Sequence, residues 1–250
     1  MKTIGIIGFG TIGKKLYEQI LEEGLLEVAF VYDTETEVPP DLALAHALSG
    51  ADFAQVDLVV EAALSQVVET YGREILTHTN FMPFSLTALA NQQLYDDLLW
   101  IAAAHQHQLF VPHGAILGLD GMFDGRKLFD EVKIVTVKNP KSLGRNDTVR
   151  RPIFEGSARE VAKLMPRNVN VHAALALAGI GFDQTQSILI SDPTLKENTH
   201  TITAKSADIT VEVTVKSNPI GAVTSAFTPV SAYGSVKRAL GITPENVVVV

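Results

Sequence analysis

The chain has 250 residues, 46% of them hydrophobic and 19% charged, which is enough for a buried core in one large domain or two modest ones. The formal net charge of −8 argues against a nucleic-acid-binding surface, because such surfaces are basic. No cysteine is present, which excludes disulfides, thiolate catalysis and cysteine-ligated metals. No apolar run approaches ~18 residues and an apolar strand begins at once, so we expect a cytoplasmic protein without a membrane span or signal peptide.

The most informative pattern is a glycine-rich turn between an apolar run and a helical stretch. Lys2–Ile7 leads into G-x-G-x-x-G at Gly8, Gly10 and Gly13, and Lys14–Glu23 has helical composition. In the dinucleotide-binding fingerprint the first glycine allows a tight turn, the second lets the backbone approach a pyrophosphate, and the third lets the helix pack on the sheet. The N-terminus of the helix supplies free N–H groups and a positive dipole end for phosphates.

A second apolar run, Leu26–Tyr32, ends at Asp33, twenty residues after Gly13. A carboxylate at this position hydrogen-bonds a ribose 2′-hydroxyl and repels a 2′-phosphate, so Asp33 favours NAD, with NADP as the second cofactor to consider. The alternatives are a glycine-rich turn that binds no ligand and an aspartate that only stabilises a turn. The predicted dinucleotide-binding residues of this region are Gly8, Gly10, Thr11, Ile12, Gly13 and Asp33.

Residues 1–110 alternate between strand-like and helix-like segments. The predicted strands are Val56–Ala63, Thr79–Pro83 and His107–Pro112, and the predicted helices are Ser65–Leu76 and Ser85–Leu99. Repeated β–α units predict an α/β fold, a Rossmann-type doubly wound parallel sheet. Ligands bind beyond the carboxyl ends of such strands, so we expect Glu61, Ala62 and Ala63 and the segment His113–Ala115 near the cofactor.

From Val132 onward the pattern changes to a second α+β domain. Lys133–Lys138 alternates with period two, as a strand buried on one side does. The other predicted strands are Ser187–Ser191, Thr199–Ala204 and Ile209–Val215, and the predicted helices are Ala158–Met165, Val171–Gly179 and Ser231–Leu240. We expect a mostly antiparallel sheet here, and a C-terminal helix that returns to the first domain. The predicted domains are 1–110 plus 222–250 for the dinucleotide, and 111–221 for substrate, catalysis and oligomerisation.

Seven histidines are the main candidates for acid–base chemistry. His105 and His107 could hold a metal, but no third ligand stands at a metal spacing, so we predict no metal site. His172 lies within a helical pattern and is more typical of a packing residue than of a catalyst. His200 lies where a loop enters a strand, and could act as a general acid or base near pH 7, although position alone does not decide this.

Longer strings give the chain a more specific resemblance. It resembles the L-aspartate dehydrogenase family through segments spread over nearly its whole length, the most specific being Gly114–Asp120, Phe154–Glu160 and Pro166–Val171. The other matching segments are Ile6–Gly13, Asp57–Ala63, Ser85–Ala90, Val111–His113, Asp192-Pro193 and Asn198–His200. The resemblance implies that His200 is the catalytic residue and that Ala115 and Asn170 contact the nicotinamide cofactor.

The chain departs from the family pattern around the expected substrate. His113 replaces the usual Ser or Thr before the Gly-Ala pair, and the segment Asn218–Ser225 lacks the lysine of the family's Asn-Pro-Lys-Thr-Ser string. The interval between Asp120 and Phe154 is also shorter than usual. The candidate substrate residues are His113, Asn198, Thr224 and Ser225. A dicarboxylate needs cationic or hydroxyl partners, and the candidate cations are Lys138, Lys141, Arg145 and Arg167.

Three functions are compatible with these patterns. The resemblance implies an NAD-dependent amino-acid dehydrogenase that converts L-aspartate through iminoaspartate to oxaloacetate and ammonia, a reaction that can feed NAD biosynthesis. The second is a dehydrogenase or reductase for another small acid, aldehyde or imine, and the third is a non-catalytic NAD-binding sensor. The apolar composition, a sheet edge and the resemblance predict a homodimer or larger homo-oligomer that acts on a small molecule.

Overall fold

The computed structural model describes residues 1–44, 46–220 and 224–243, which form two compact units. The first comprises Met1–Ser85, Asn91–Pro112 and the chain from Pro229 onward, and the second comprises Leu86–Ala90 and His113–Thr228. The domain boundaries at 110/111 and 221/222 stay predictions, because residues 222, 223 and 244–250 of the first predicted domain lie outside the described residues. No helix in the described ranges is long and apolar enough to cross a bilayer.

A four-stranded parallel sheet forms the centre of the first unit. Its strands are β1 (Lys2–Ile7), β2 (Leu26–Tyr32), β3 (Leu58–Glu61) and β4 (Asn80–Pro83), in the order β2-β1-β3-β4. The strands are near-continuous apolar runs because helices cover a parallel sheet, and Ile4, Ile6 and Val60 are fully buried. The predicted parallel sheet is confirmed, and its carboxyl edge presents the ends of β1, β2 and β3.

Helices follow each of these strands. They are α1 (Thr11–Glu23), α2 (Gly50–Phe53), α3 (Ser65–His78) and α4 (Gln92–His105). The final helix, α8 (Phe227–Ala239), places Ala232, Tyr233 and Val236 in one apolar cluster with Leu16 and Ile20 of α1. The predicted return of the C-terminal helix to the first unit is therefore confirmed.

Two predictions for residues 1–110 were wrong. The helix predicted over Ser85–Leu99 is a buried 3₁₀ turn, Leu86–Ala90, followed by α4, because the Asn91 side chain accepts a hydrogen bond from the Leu94 N–H and so caps a new helix. The strand predicted over His107–Pro112 is reduced to one isolated bridge between Phe81 and Leu109. This segment runs along the outer edge of β4 and ends in proline, which cannot donate to a ladder.

A five-stranded mixed sheet forms the centre of the second unit. Its strands are β5 (Glu131–Lys138), β6 (Arg151–Ser157), β7 (Gln186–Ser191), β8 (Asn198–Lys205) and β9 (Thr210–Ser217), in the order β6-β7-β5-β8-β9. Only the β5–β7 pair is parallel, so the predicted mostly antiparallel sheet is confirmed. Strand β6 was not predicted, since Pro152 and a register irregularity interrupt its alternation.

Among the described residues, three α-helices lie wholly in this unit: α5 (Leu119–Gly125), α6 (Ala158–Leu164) and α7 (Asn170–Ala178). Ser157 and Glu160 form a reciprocal capping box that fixes the start of α6. Helix α7 is rich in alanine and almost wholly buried, and it packs on α5 and α6. A short hairpin of β10 (Pro219–Ile220) and β11 (Thr224–Ser225) precedes α8.

Candidate active site

Two glycines of the fingerprint are required by the backbone itself. Gly8 has φ of +97°, and a Cβ there would lie 2.6 Å from the backbone carbonyl carbon of Ala62. A Cβ on Gly13 would lie 2.0 Å from the backbone oxygen of Gly8. Any side chain at either position would therefore push the turn away from the sheet.

Gly10 is different, because a Cβ there would meet no atom within 4 Å. Open space faces this glycine, and α1 begins at the next residue, Thr11, without a side-chain cap and without an acidic residue in its first turn. The amides of Thr11 and Ile12 belong to that first turn, which carries the positive end of the helix dipole. A backbone that leaves room, donors and positive potential fits the pyrophosphate of a dinucleotide.

Asp33 closes the turn after β2. Its Oδ2 accepts a hydrogen bond from the Phe9 N–H at 2.5 Å, and its Oδ1 accepts from Glu35 and Thr36 N–H groups, each at 2.8 Å. Burial opposes ionisation of Asp33, but these backbone donors outweigh it and lower the pKa of the carboxyl. Asp33 is therefore a charged turn residue whose remaining lone pairs are available to a ribose hydroxyl.

Glu61 ends β3 in a fully buried position. Its Oε1 accepts hydrogen bonds from the Ala63 N–H at 2.7 Å and the Ser85 hydroxyl at 2.8 Å, and its Oε2 accepts from the Ser85 N–H at 3.0 Å. Burial raises the pKa of Glu61 to about 7, and the hydrogen bonds offset only part of that effect. The carboxyl thus fixes the Ala62-Ala63 loop, and no sequence pattern gave it this role.

In the second unit a chain of hydrogen bonds runs from β7 to β8. Ser187 Oγ lies 3.0 Å from Nδ1 of His172, Nε2 of His172 lies 2.7 Å from Thr136 Oγ1, and Thr136 Oγ1 lies 2.8 Å from Nδ1 of His200. All four side chains are buried. Antiparallel register places Thr136 directly opposite His200, and α7 supplies His172.

The hydroxyl of Thr136 has one proton, so it donates to one imidazole and accepts from the other. If Thr136 donates to Nδ1 of His200, the proton of that neutral imidazole lies on Nε2. If Nδ1 of His200 instead donates to Thr136, Nε2 carries a lone pair. Nε2 has no hydrogen-bond partner among the described residues. The second polarity is the one in which His200 can act as a base, because it stays intact when Nε2 takes up a proton.

The charges around this chain favour neutral imidazoles. Burial, then the neighbouring His200 and Lys138, hold the pKa of His172 well below its usual range. Burial and, second, the charge of Lys138 lower the pKa of His200 to about 3. Burial alone lowers the pKa of Lys138 to about 8, so the lysine remains mostly protonated near pH 7.

The remaining predicted cofactor and substrate residues of the second unit differ in burial and in hydrogen bonding. Asn170 begins α7, and its Oδ1 accepts from the Thr87 N–H at 3.2 Å. Ala115 and Asn198 are buried, and His113 is half-buried. Half-buried Thr224 and buried Ser225 form β11, and Ser225 donates to the Ser217 hydroxyl at 2.7 Å.

Of the four candidate cations, only Lys138 is buried. Lys141 and Arg167 are exposed, and Arg145 pairs with Asp147 at 2.6 Å. Sequence reasoning missed Thr136 and Ser187. The alternation of β5 could have identified Thr136, because polar Thr136 and Lys138 lie on the same buried face as apolar Val132 and Ile134.

Two family models match successive parts of the chain. Residues 8–112 match the NAD-binding domain of homoserine dehydrogenase, and residues 122–239 match the C-terminal domain of aspartate dehydrogenase. The L-aspartate dehydrogenase of Thermotoga sp. (strain RQ2) is 32% identical over 87% of this chain and 88% of its own length. That of Methanothermobacter thermautotrophicus is 32% identical over 96% of this chain and 97% of its own.

A solved structure extends the similarity to three dimensions. The crystal structure of aspartate dehydrogenase from Thermotoga maritima has a TM-score of 0.81 at 28% identity, covering 100% of this chain and 99% of that one. An NAD-binding unit and a dehydrogenase C-terminal domain in one chain define an NAD(P)-dependent oxidoreductase. More particularly, the chain belongs to the L-aspartate dehydrogenase family.

Alanine substitution should distinguish Gly13, which has no room for a Cβ, from Gly10, which faces open space. Gly13→Ala should lower the free energy of unfolding by roughly 1–3 kcal/mol, because the methyl group meets the Gly8 carbonyl. Gly10→Ala should cost less than about 1 kcal/mol but weaken NADH binding at least about tenfold, since its methyl group occupies the open approach. Urea unfolding and NADH fluorescence titration measure the two effects. Unchanged NADH affinity in Gly10→Ala would contradict the assignment.

Glu61 should make stability depend on pH. Its folded pKa of about 7 exceeds the ordinary 4.5, so its contribution to stability is complete below pH 4.5 and is lost as the pH rises through 7. Relative to wild type, Glu61→Gln should gain roughly 2–3 kcal/mol in free energy of unfolding between pH 5 and pH 8. Urea titrations at both pH values measure this, with exposed Glu69→Gln as the control. Parallel pH profiles for wild type and Glu61→Gln would refute the prediction.

Proposed function

We propose that this protein is an NAD-dependent L-aspartate dehydrogenase. The reaction consumes L-aspartate, NAD⁺ and water and yields oxaloacetate, ammonium and NADH with release of a proton. The observation that carries the proposal is His200, fixed by Thr136 and His172 in a family member with an intact glycine fingerprint. When bound, the dinucleotide supplies the acceptor for the hydride that leaves the substrate Cα.

The cofactor would be held by the backbone of the fingerprint and by a few side chains. Gly10 and the first turn of α1 receive the pyrophosphate, and Asp33 binds the adenosine ribose. Ala62 and Ala63, whose loop Glu61 fixes, follow β3 at the carboxyl edge of the sheet. The proposed cofactor-binding residues are Gly8, Gly10, Thr11, Ile12, Gly13, Asp33, Ala62, Ala63, Ala115 and Asn170.

His200 is the proposed catalytic residue. Its Nε2 takes a proton from the water that attacks the imine carbon, while Nδ1–H donates to Thr136 and keeps the ring in place. The resulting imidazolium then returns the proton to the departing nitrogen, which leaves as ammonia. Thr136 and His172 act as positioning residues, because Thr136 accepts from Nδ1–H of His200 while it donates to Nε2 of His172, which leaves Nε2 of His200 free to react.

The substrate would be recognised in the second unit. His113, Asn198, Thr224 and Ser225 are the proposed substrate residues, with His113 and the lysine-free Asn218–Ser225 segment as the features that set this chain apart. Iminoaspartate leaving such an enzyme is a precursor for NAD biosynthesis. We also propose that residues 1–110 plus 222–250 serve the dinucleotide and residues 111–221 serve the substrate.

A homo-oligomer, a homodimer or larger, is part of the proposal. Strand β9 is an edge of its sheet, and Val211, Val213 and Val215 along it are only half-buried. An apolar, unpaired strand edge favours contact with another copy of the chain. A cytoplasmic location stays a prediction from the sequence.

The decisive experiment is an absorbance assay of NADH oxidation with oxaloacetate and ammonium. Oxidation that needs both reactants supports aspartate dehydrogenase activity. Oxidation with oxaloacetate that does not need ammonium would point to an enzyme for another small acid. NADH binding without turnover on a panel of acids and imines would point to a sensor.

Enzyme kinetics should distinguish the catalytic role of His200 from the positioning role of Thr136. His200→Ala should lower kcat roughly 10²–10⁴-fold with NADH affinity nearly unchanged. Thr136→Val should lower kcat as well, because it deprives Nδ1 of its partner, whereas Thr136→Ser keeps the hydroxyl and should retain most of the activity. Steady-state kinetics and NADH titration measure these effects. Near-normal kcat in His200→Ala would remove it from the mechanism.

Asp33 should decide the cofactor. Wild type should use NADH in preference to NADPH, and Asp33→Asn should improve kcat/KM for NADPH about tenfold relative to NADH, because the 2′-phosphate no longer meets a carboxylate. Exposed Glu35→Gln removes the same charge two residues away and serves as the control. An unchanged NADH-to-NADPH ratio in Asp33→Asn would show that Asp33 only stabilises its turn.

A further inference from the structure

Lys138, at the end of β5, is a buried cation without an anion. Its side chain is 4% exposed, and its ammonium donates one hydrogen bond, to the Asn168 backbone carbonyl at 3.1 Å. In residues 1–44, 46–220 and 224–243, no carboxylate oxygen lies within 4.0 Å of Nζ. Two N–H donors of the ammonium are left over.

Such an arrangement is costly for a folded protein. A buried charge is normally paired, because its hydration is lost without compensation. The cost is visible in the pKa of Lys138, which burial lowers to about 8 and no neighbouring anion restores. A chain that only needed to fill this space would be more stable with an apolar residue of similar length.

Asn198 adds a second uncommitted donor on the same face of the sheet. Val137 pairs with Thr199 and Thr136 with His200, so the antiparallel register carries Lys138 opposite Asn198. Asn198 is 2% exposed, and its Nδ2 has no hydrogen-bond partner in the part of the chain that the structure describes. Lys138 lies two residues, roughly 7 Å along the strand, from Thr136, and Asn198 lies two residues from His200.

Asn168 adds an acceptor without a partner to these donors without partners. Its backbone oxygen holds Lys138, while its own Oδ1 is buried without a donor. Uncommitted donors beside an uncommitted acceptor suit a ligand that carries both an anionic group and an N–H group. An amino acid and its imine have this combination.

We propose that Lys138 and Asn198 form the subsite that binds a carboxylate of the substrate beside His200. The proposal rests on the proposed function and deepens it, since it assigns the substrate class, carboxylic acids, to named residues. The ammonium supplies the charge and the amide of Asn198 fixes the orientation of the carboxylate. Lys138 is therefore the specificity-determining cation among the four that the sequence offers.

The test separates binding from folding. Lys138→Met should bind malonate, an unreactive dicarboxylate, at least about tenfold more weakly than wild type in the presence of NADH, and should raise KM for oxaloacetate more than it lowers kcat. Its melting temperature should stay level or rise, because a buried charge is removed. Exposed Lys141→Met is the matched control and should leave malonate affinity unchanged. Calorimetric titration, thermal unfolding and steady-state kinetics give the three readouts.

Asn198→Ala should weaken malonate binding in the same way, and Lys138→Arg should restore part of it. Equal malonate affinity and oxaloacetate KM in wild type and Lys138→Met would overturn the subsite while leaving the proposed function intact. A folded wild type that binds malonate through Lys138 but shows no ammonium-dependent NADH oxidation would retain the subsite and refute the reaction. A large fall in melting temperature for Lys138→Met with unchanged malonate affinity would show a structural role and overturn the proposal.

Discussion

The pairing of β5 with β8 is the constraint on which the chemistry of the second unit depends. Antiparallel register sets Thr136 opposite His200, and the period of two puts Lys138 and Asn198 on the same buried face. A slip of one residue in either strand would turn its polar side chains to the opposite face and leave the imidazole without its support. The backbone ladder, rather than any loop, therefore holds these groups, which suits a site that needs fixed geometry.

The two units differ in how far hydrogen bonds compensate a buried ionisable side chain. Glu61 in the first unit receives three hydrogen bonds, so its carboxyl is a structural clamp that fixes the loop after β3. Lys138 in the second unit receives almost no compensation, although it is nearly as deeply buried. The first arrangement is complete within the described chain, whereas the second lacks an anionic partner. Burial alone therefore does not mark a functional residue, but burial with unmet hydrogen-bonding capacity does.

Much of the fold could be predicted from residue patterns. Apolar runs located β1 to β4, and the glycine spacing with Asp33 located the dinucleotide turn, because these signals are local. The break before α4 was missed, since a single capping residue, Asn91, outweighed a helical composition that continues across it. The chain from Ser187 to His200 could not be predicted either. Its members are 64 residues apart at the farthest bonded pair, and only the register of β7, β5 and β8 brings them together.

In the proposed subsite the ammonium of Lys138 also affects the basicity of His200. Its positive charge weakens an imidazole that burial has already made a poor proton acceptor. An anion bound to the ammonium in this subsite offsets the electrostatic contribution, although not the larger effect of burial, so the pKa of the ring rises when the subsite is occupied. In the proposed subsite the ring is therefore a better proton acceptor when an acid is bound than when it is not. Selectivity and activation are in this way two results of one charge.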